Sequence, residues 1–348
     1  SGKQQEESVK AGQSDAKEQK SEDTKGSEES ASSEEIPANQ NLLTGVLDLT
    51  EGAIGKRPVA VMVNNVDPAM PQYGVGKADI IFEIPVEGDA TRFMALYGDY
   101  TAVPKICAIR SCRAYFPALS EGFDAFYVNW GSDDTIGEYI ASLNLDQIDG
   151  ISDGSGLFGR DQARLSAGYD LEHTGYFDGT QFASVVQSRG LRTDIEEDKK
   201  DAAFSFYGLN EQVKPDGEDC QKVDINFGAA RATLTYDEAK KVYVKDLNGK
   251  PQIDGNTGEQ LAFTNVFVLE TSITVRDEIG HKEVDWDGAS DSVGYYISNG
   301  GVQKIHWSKE EKNEQSRLKF YDQNGKEIKI NRGKSYIAVN YADQATFQ

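Results

Sequence analysis

Short runs of β-branched and aromatic residues, each bounded by Gly, Asp or Pro, make up most of the chain from residue 56 onwards. Such runs are typical of β-strands. In the first half of the chain they include PVAVMVNN, ADIIFEIPVE, RFMALY and FDAFYVNW. Stretches with helix signals alternate with some of these runs, and they predict helices over residues 112–121, 135–143 and 180–189. The first half is therefore predicted to be mixed α/β.

Three Asn-Gly pairs mark the second half, at positions 248–249, 299–300 and 324–325. Asn-Gly between two β-rich runs favours a tight hairpin, because both residues tolerate a positive φ. The second half is therefore predicted to be β-rich and antiparallel. Together the patterns predict an α+β protein, with a mixed α/β N-terminal domain followed by a β-rich antiparallel C-terminal domain.

Composition places the domain boundaries. Large hydrophobic residues are nearly absent from residues 1–41, which carry ten acidic and five basic side chains. A segment of this kind buries too little apolar surface to fold. The predicted organisation has four parts: a disordered tether over 1–45, a mixed α/β domain over 46–193, a linker with one short strand over 194–222, and a β-rich domain over 223–341.

The net charge of −22 argues against two classes of partner. With −5 on residues 1–41, the remainder carries −17, and an acidic surface repels both nucleic acid and anionic lipid. We therefore expect no nucleic-acid partner, and membrane contact through a lipid anchor only. A polar start without Met favours a mature exported protein, and a tag remnant on a cytoplasmic protein is the alternative.

The three cysteines, Cys107, Cys112 and Cys220, are too few for a disulfide scaffold. Their odd number leaves at least one unpaired. Whether Cys107 and Cys112 bond to each other stays open from the sequence.

Several longer motifs follow one another in a fixed order. They are GKRPVAVMVNN, PQYGVGKADIIFE, TRFMALY, IRSCRAYF and FDAFYVNWGS, then NGKPQIDGNTGEQ, NVFVLE, GYYISNGGVQKIHWSK and RLKFYDQNGKEIKINRGKSYIAV. In this order the chain resembles the YerB-like lipoprotein family, which has an N-terminal and a C-terminal domain. The resemblance implies a bacterial lipoprotein on the outer face of the cell membrane, with no established biochemical activity. The cysteines at 107 and 112 depart from the small residues of the family, so no shared role is expected for them.

Two arginines, Arg110 and Arg113, interrupt the apolar run KICAIRSCRAYF. The pattern predicts that Ser111 caps a helix and that Arg113 lies in its first turn, where a cation opposes the helix dipole. One interpretation is an anion site, because guanidinium groups and free N–H groups suit a phosphate, carboxylate or sulfate. The other is an ion pair with Glu83 or Glu87, predicted to share one face of a neighbouring strand.

Further candidate residues are predicted to line the same rim. Ligand crevices form at strand ends in α/β sheets, and His173, which aligns with a histidine of the family, is a candidate general base although a lone histidine is more often structural. The ligand-binding candidates are Arg110, Arg113, Glu83, Glu87, His173, Asn64, Asn65, Arg92, Ser111, Trp130 and Arg160.

The function predicted from these residues is binding, either of a small anionic or sugar-like envelope ligand or of an envelope protein. One alternative is a hydrolase or lyase acting on a cell-wall polymer, with Glu87 or His173 as acid or base. The other alternative is a structural envelope adaptor. No cofactor is predicted, and no metal site: the alternation of His281, Glu283, Asp285 and Asp287 is more typical of a solvated acidic edge.

Overall fold

Strands make up most of the regular structure in the computed structural model, which describes residues 34–143, 145–286, 288–310, 313 and 315–348. Helices are few and short. Within these ranges the α-helices are α1 (Phe116–Glu121), α2 (Gly137–Ser142), α3 (Gln162–Ser166) and α4 (Phe182–Arg189). All of them lie before residue 190.

The strands fall into several sheets. The first half contains β1 (Val59–Asn64), β2 (Ile80–Pro85), β3 (Thr91–Tyr97), β4 (Lys105–Cys107), β5 (Phe126–Asn129), β6 (Gln147–Asp149), β7 (Phe158–Arg160) and β8 (Gly175–Asp178). The remainder contains β9 (Ser205–Phe206), β10 (Glu218–Asp219), β11 (Lys222–Asn226), β12 (Arg231–Asp237), β13 (Val242–Leu247), β14 (Lys250–Pro251), β15 (Ala262–Phe263), β16 (Asn265–Glu270), β17 (Ile273–Val275), β18 (Lys282–Val284), β19 (Gly288–Ser298), β20 (Gly301–Lys309), β21 (Lys319–Tyr321), β22 (Lys329–Ile330), β23 (Ser335–Asn340) and β24 (Ala345–Phe347).

The largest sheet joins both halves of the chain. Among the described residues it has eleven strands in the order β10-β20-β19-β16-β23-β2-β3-β1-β5-β6, with β21 paired to β20. The two halves meet where β2 and β23 pair in parallel, with Ile80 opposite Ser335. The two predicted domains therefore share one hydrogen-bonded sheet, and residues 39–348 form one compact unit.

The smaller sheets contain the predicted hairpins. A six-stranded antiparallel sheet has the order β14-β13-β12-β11-β24, with β15 on β13. Asn248-Gly249 joins β13 to β14, and Asn299-Gly300 joins β19 to β20 in the large sheet. Both asparagines have positive φ, 51° and 48°. These two hairpin predictions are confirmed. Asn324-Gly325 lies in a turn where the Asp322 N–H donates to the Lys326 carbonyl, next to a single bridge between Tyr321 and Glu327.

Both faces of the large sheet are buried. Val59, Val61 and Val63 of β1 point into a first core, which β11 to β13 of the six-stranded sheet complete. Ala60 and Met62 point into a second core, which includes helix α1. Burial on both faces explains why these strands read as nearly continuous hydrophobic runs.

Two of the three predicted helices are confirmed. Residues 134–142 form a 3₁₀ turn and α2, and residues 179–189 form a 3₁₀ turn and α4. The third helix begins only at Phe116, so Ser111 is not its cap and Arg113 is not in its first turn. The reason is hydrogen bonding: the Arg110 N–H donates to the carbonyl of Met62, and the Cys112 N–H to that of Gly131, which keeps this segment extended.

The predicted tether over 1–45 lies outside the described residues up to residue 33. From Asn39 the chain belongs to the folded unit, and Leu43 is buried in the second core. The folded part thus begins seven residues before the predicted start of the domain at residue 46, because Leu43 supplies an apolar anchor. The short strand predicted in the linker is present as β9. In the described part of the chain, no helix combines the length and the apolar character needed to cross a bilayer.

Candidate functional site

One edge of the large sheet collects the ends of several strands. Strand β1 runs parallel to β5 and antiparallel to β3, and β3 is antiparallel to β2. Strands β1, β2 and β5 therefore end at the same edge. Crevices at the carboxyl ends of such strands are common ligand sites. Asn64, Glu87 and Trp130 lie at this edge, and Arg92 joins them because it pairs with Asn64 across β1 and β3.

The strand register separates Glu83 from the arginines. Glu83 lies opposite Phe93 and Ile84 lies opposite Arg92. Because successive strand residues point to opposite faces, Glu83 points into the first core and Arg92 to the other face. Strand β2 also ends at Pro85, and Glu87 begins a 3₁₀ turn. The prediction that both glutamates share one strand face is therefore wrong.

Glu83 belongs instead to a buried polar network in the first core. Its carboxylate accepts hydrogen bonds from the Tyr336 hydroxyl (2.7 Å), the Thr91 hydroxyl (2.6 Å) and the Asn65 amide (3.0 Å). It also lies 3.4 Å from the ammonium of Lys245, which is fully buried. Burial lowers the pKa of Lys245, and the charge of Glu83 opposes this. Glu83 and Asn65 are therefore structural residues, not part of the rim.

Arg113 forms an ion pair with Glu87. Its Nε lies 2.9 and 3.0 Å from the two carboxylate oxygens, and its Nη2 also donates to Oε1. The predicted ion pair is thus confirmed with Glu87 and wrong for Glu83. Burial by itself raises the pKa of Glu87, but the hydrogen bonds and charge of Arg113 outweigh it and keep that pKa below its usual value. A carboxylate held ionised in this way does not suit a general acid.

Arg92 is a buried cation without a carboxylate partner. Its exposed fraction is 4%, and its Nη1 donates to the carbonyl of Ser111 at 2.9 Å. In the part of the chain that the structure describes, Nε has no hydrogen-bond partner and the guanidinium forms no ion pair. Burial, and then the charges of Arg113 and Arg110, lower the pKa of Arg92 to about 9.

The Arg110 side chain has one ion-pair partner among the described residues, and it lies at the surface. Its Nη1 lies 3.3 Å from Oε2 of Glu172, whose side chain is about half exposed, and its buried Nε has no partner among the described residues. Burial lowers the pKa of Arg110, and Glu172 partly offsets this. Arg92, Arg110 and Arg113, called the arginine cluster below, thus place three guanidinium groups beside two carboxylates.

An open pocket of about 410 Å³ adjoins the arginine cluster. We call it the Trp130 pocket; its lining residues are Ile109, Arg110, Trp130, Arg160, Asp170, Leu171 and Glu172. The guanidinium of Arg160 stacks 4.2 Å from the centre of the Trp130 ring and donates to the Leu171 carbonyl at 2.8 Å.

Two glycines fix the position of the Trp130 ring. A Cβ on Gly150 would lie 2.7 Å from Cδ2 of the indole, and one on Gly175 would lie 2.9 Å from Cε3. Any side chain at either position would therefore push the ring out of place. The Gly131 N–H that follows Trp130 donates to Asp149 at 2.8 Å and holds the loop after β5. The indole is thus a rigid part of the pocket wall.

His173 is buried behind the pocket. Its Nδ1 lies 2.8 Å from the amide nitrogen of Asn64, which can only donate, so the neutral ring carries its proton on Nε2. Nε2 lies 3.7 Å from Glu172. Burial lowers the pKa of His173 and favours this neutral form. With Nδ1 occupied and Nε2 protonated, the ring has no free lone pair, which favours a positioning role over that of a base.

A metal site has little support at this edge. Asp170, Glu172 and His173 place one donor atom each within 4.8 Å of one another, but Arg110 already pairs with Glu172. In the second half, His281 precedes β18 and binds Asp277 at 2.6 Å. Asp287 lies outside the described residues.

The sequence patterns missed a contribution from the second half of the chain. The hairpin of β17 and β18 contacts the site: Arg276 pairs with Asp133, His281 lies 4.0 Å from Glu87, and Lys282 lies 3.0 Å from Asp89. No local pattern could have placed these residues together, because the partners are more than 140 positions apart. The pocket residues Asp170 and Leu171 were also missed, although with Glu172 they directly precede the predicted His173.

Comparisons with known proteins identify the family. The model of the "Protein of unknown function (DUF3048)" N-terminal domain matches residues 43–192, and that of its C-terminal domain matches residues 223–337. The "Putative lipoprotein YerB" of Bacillus subtilis (strain 168) is 29% identical over 270 residues, 76% of each chain. The crystal structure of the Bacillus subtilis YerB protein is similar with a TM-score of 0.72 and 26% identity, covering 88% of this chain and 98% of that one. The resemblance predicted from the motifs is thus confirmed, and the chain belongs to the DUF3048 family of unknown function.

Proposed function

We propose that the protein binds the anionic group of a cell-envelope ligand at the arginine cluster, with the rest of the ligand in the Trp130 pocket. The observation that carries this proposal is Arg92, a buried guanidinium that forms no ion pair within the described residues. A buried charge without a partner costs several kcal/mol, roughly, so proteins rarely keep one without a use. An anion beside the cluster would offset that cost.

The position of the charge supports the same proposal. Arg113 is neutralised by Glu87, so the excess positive charge belongs to Arg92 and Arg110. Arg110 lines the Trp130 pocket, and its only carboxylate partner among the described residues, Glu172, is about half exposed to solvent. An anionic ligand would therefore bind Arg110 directly, and the buried positive charge of Arg92 would add a longer-range attraction.

The outer face of the cell membrane is the proposed location. The relative in Bacillus subtilis bears the name of a lipoprotein, and a lipid anchor would place this chain in contact with envelope material. Ligand and location together define the proposed role: a tethered envelope protein that binds an anionic or sugar-like molecule. The hydrolase alternative has no comparable support, because the pKa of Glu87 is lowered instead of raised.

Calorimetric titration with matched probes tests this proposal. Glucose 1-phosphate and glucuronate carry an anionic group, and glucose is their neutral control. We expect the anionic probes to bind more tightly, and Arg110→Gln to remove that preference. Arg231→Gln is the control variant, because Arg231 is an exposed arginine paired with Asp224 outside this site. Equal binding of glucose and glucose 1-phosphate, with no effect of Arg110→Gln, would contradict the proposal.

A further inference from the structure

The Trp130 pocket carries both signs of charge. Its lining includes two guanidinium groups, those of Arg110 and Arg160, and two carboxylates, those of Asp170 and Glu172. Glu172 pairs with Arg110 at 3.3 Å, and Asp170 forms no ion pair in the described part of the chain. A ligand with only negative charge would gain from the guanidinium groups but would be repelled by Asp170 and Glu172.

The guanidinium of Arg160 has a fixed orientation at the wall of the pocket. Stacking on Trp130 and the bond to the Leu171 carbonyl fix its plane at the pocket wall. Arg160 forms no ion pair with a described residue, so its remaining N–H groups are not neutralised by the protein. Such a fixed, planar fork matches the geometry of a carboxylate.

The pocket also has an apolar wall. Ile109, Trp130 and Leu171 line it, and Leu171 keeps 59% of its surface exposed. Ile151, 70% exposed, lies beside Gly131 at the same rim, because its Cγ1 is 3.7 Å from a Cβ placed on that glycine. Exposed aliphatic side chains next to a pocket favour a ligand with an apolar group.

We propose that the Trp130 pocket takes a short zwitterionic peptide. Its carboxylate binds Arg110 and Arg160, its ammonium group binds Asp170 and Glu172, and an apolar side chain packs on Leu171. This inference rests on the proposed function and narrows it, since the anionic group is then a peptide carboxylate. It adds a requirement that a simple anion site lacks, namely a cationic group on the ligand.

Three versions of one dipeptide test the inference by calorimetric titration at low ionic strength. They are alanyl-leucine, its N-acetyl derivative without the ammonium group, and its C-terminal amide without the carboxylate. We expect the free dipeptide to bind roughly threefold to tenfold more tightly than either blocked form, the range typical of one partly exposed charge pair.

Variants assign each charge. Asp170→Asn and Glu172→Gln should each reduce the preference for the free over the N-acetyl dipeptide and keep the preference for carboxylate over amide. Asp170→Asn leaves the ion pair of Arg110 intact, so it remains informative if Glu172→Gln disturbs the pocket. Glu259→Gln, an exposed glutamate that does not line the pocket, should leave all three affinities unchanged.

The outcomes separate this inference from the proposed function. If the N-acetyl dipeptide binds as tightly as the free one, the inference is overturned and the anion site stands. If anionic sugars bind and no dipeptide binds, the peptide inference is likewise overturned and the anion site stands. If the amide binds as tightly as the carboxylate and anionic sugars do not bind, both proposals fail.

Discussion

Replacement of Arg92 by methionine is expected to stabilise the unliganded protein. Burial and the neighbouring arginines lower the pKa of this guanidinium from its usual, much higher value to about 9. At about 1.36 kcal/mol per pKa unit, this difference corresponds to a cost of roughly 5 kcal/mol for keeping Arg92 charged in the folded state. Methionine removes the charge and keeps an unbranched apolar side chain that fills irregular space.

Two effects reduce the expected gain. The substitution removes the hydrogen bond from Nη1 to the Ser111 carbonyl, which costs roughly 1–3 kcal/mol if that carbonyl stays unsatisfied. The stem of Arg92 is also buried, and methionine fills the space of the longer side chain only in part. The net increase in the free energy of unfolding is therefore expected to be about 1–3 kcal/mol.

The pH dependence of this gain follows from the lowered pKa. Below pH 9 the guanidinium is charged in both the folded and the unfolded protein, so the cost is fully present. As the pH rises above about 9, the folded protein releases the proton before the unfolded protein does, and the cost declines. The gain from Arg92→Met should therefore be constant between pH 6 and pH 8.

Urea unfolding of the parent and of Arg92→Met at pH 7.5 measures the effect. The midpoint should rise with an unchanged m value. Arg231→Met, at an exposed and paired arginine, should change stability by less than about 0.5 kcal/mol. A loss of more than 1 kcal/mol, approximately, on Arg92→Met would refute the reasoning, because it would mean that the cation is already compensated inside the protein.

Three further substitutions are expected to have measurable effects on urea unfolding. Burial raises the pKa of Glu121 from 4.5 to about 7, so the free-energy cost of burying its charge is absent below pH 4.5 and full above pH 7. After allowance for partial exposure, Glu121→Gln should raise the free energy of unfolding by about 1–2 kcal/mol at pH 8 and leave it unchanged at pH 4. Equal effects at both pH values would contradict this. Lys245→Met should lower the free energy of unfolding by about 3–5 kcal/mol, because it leaves Glu83 buried and unpaired. Adding Glu83→Gln should recover at least half of that loss, and no recovery would show that the two side chains do not interact. Arg113→Ala should cost less, about 1–3 kcal/mol, because its ion pair is partly exposed, and an unchanged midpoint would show that the pair adds no stability.

Local features of the fold were predictable from the sequence. Asn248-Gly249 and Asn299-Gly300 determine their hairpins through backbone conformation alone, so no distant contact is needed. The helix over 180–189 ends at Gly190 in the left-handed conformation, again a local signal. The pairing of β2 with β23 was not predictable, because it joins residues more than 250 positions apart and any buried strand of similar composition could have taken its place.

The candidate site was predictable only in part, for the same reason. That Asn64 and Trp130 share an edge follows from two parallel strands that end there. The partner of Arg113 could not be assigned from the sequence. The choice between Glu83 and Glu87 depends on where strand β2 ends, and the sequence does not show that it ends at Pro85. The predicted helix cap at Ser111 failed because the backbone of residues 110–112 bonds to Met62 and Gly131, which are distant in sequence.

The hairpin of β17 and β18 links the second half of the chain to the candidate site. Arg276 binds Asp133, in the loop that follows Trp130, and Lys282 binds Asp89, two residues beyond Glu87. The two regions that the family models describe separately therefore build one edge together. Strand β2 also pairs with β23, so the first half would lose both a sheet neighbour and this hairpin if it were produced alone.

The unpaired edge of β2 would then promote aggregation, and the loop after Trp130 would lose its contact with Arg276. It follows that the ligand-binding unit proposed for this protein is the whole of residues 39–348 and not the N-terminal domain alone.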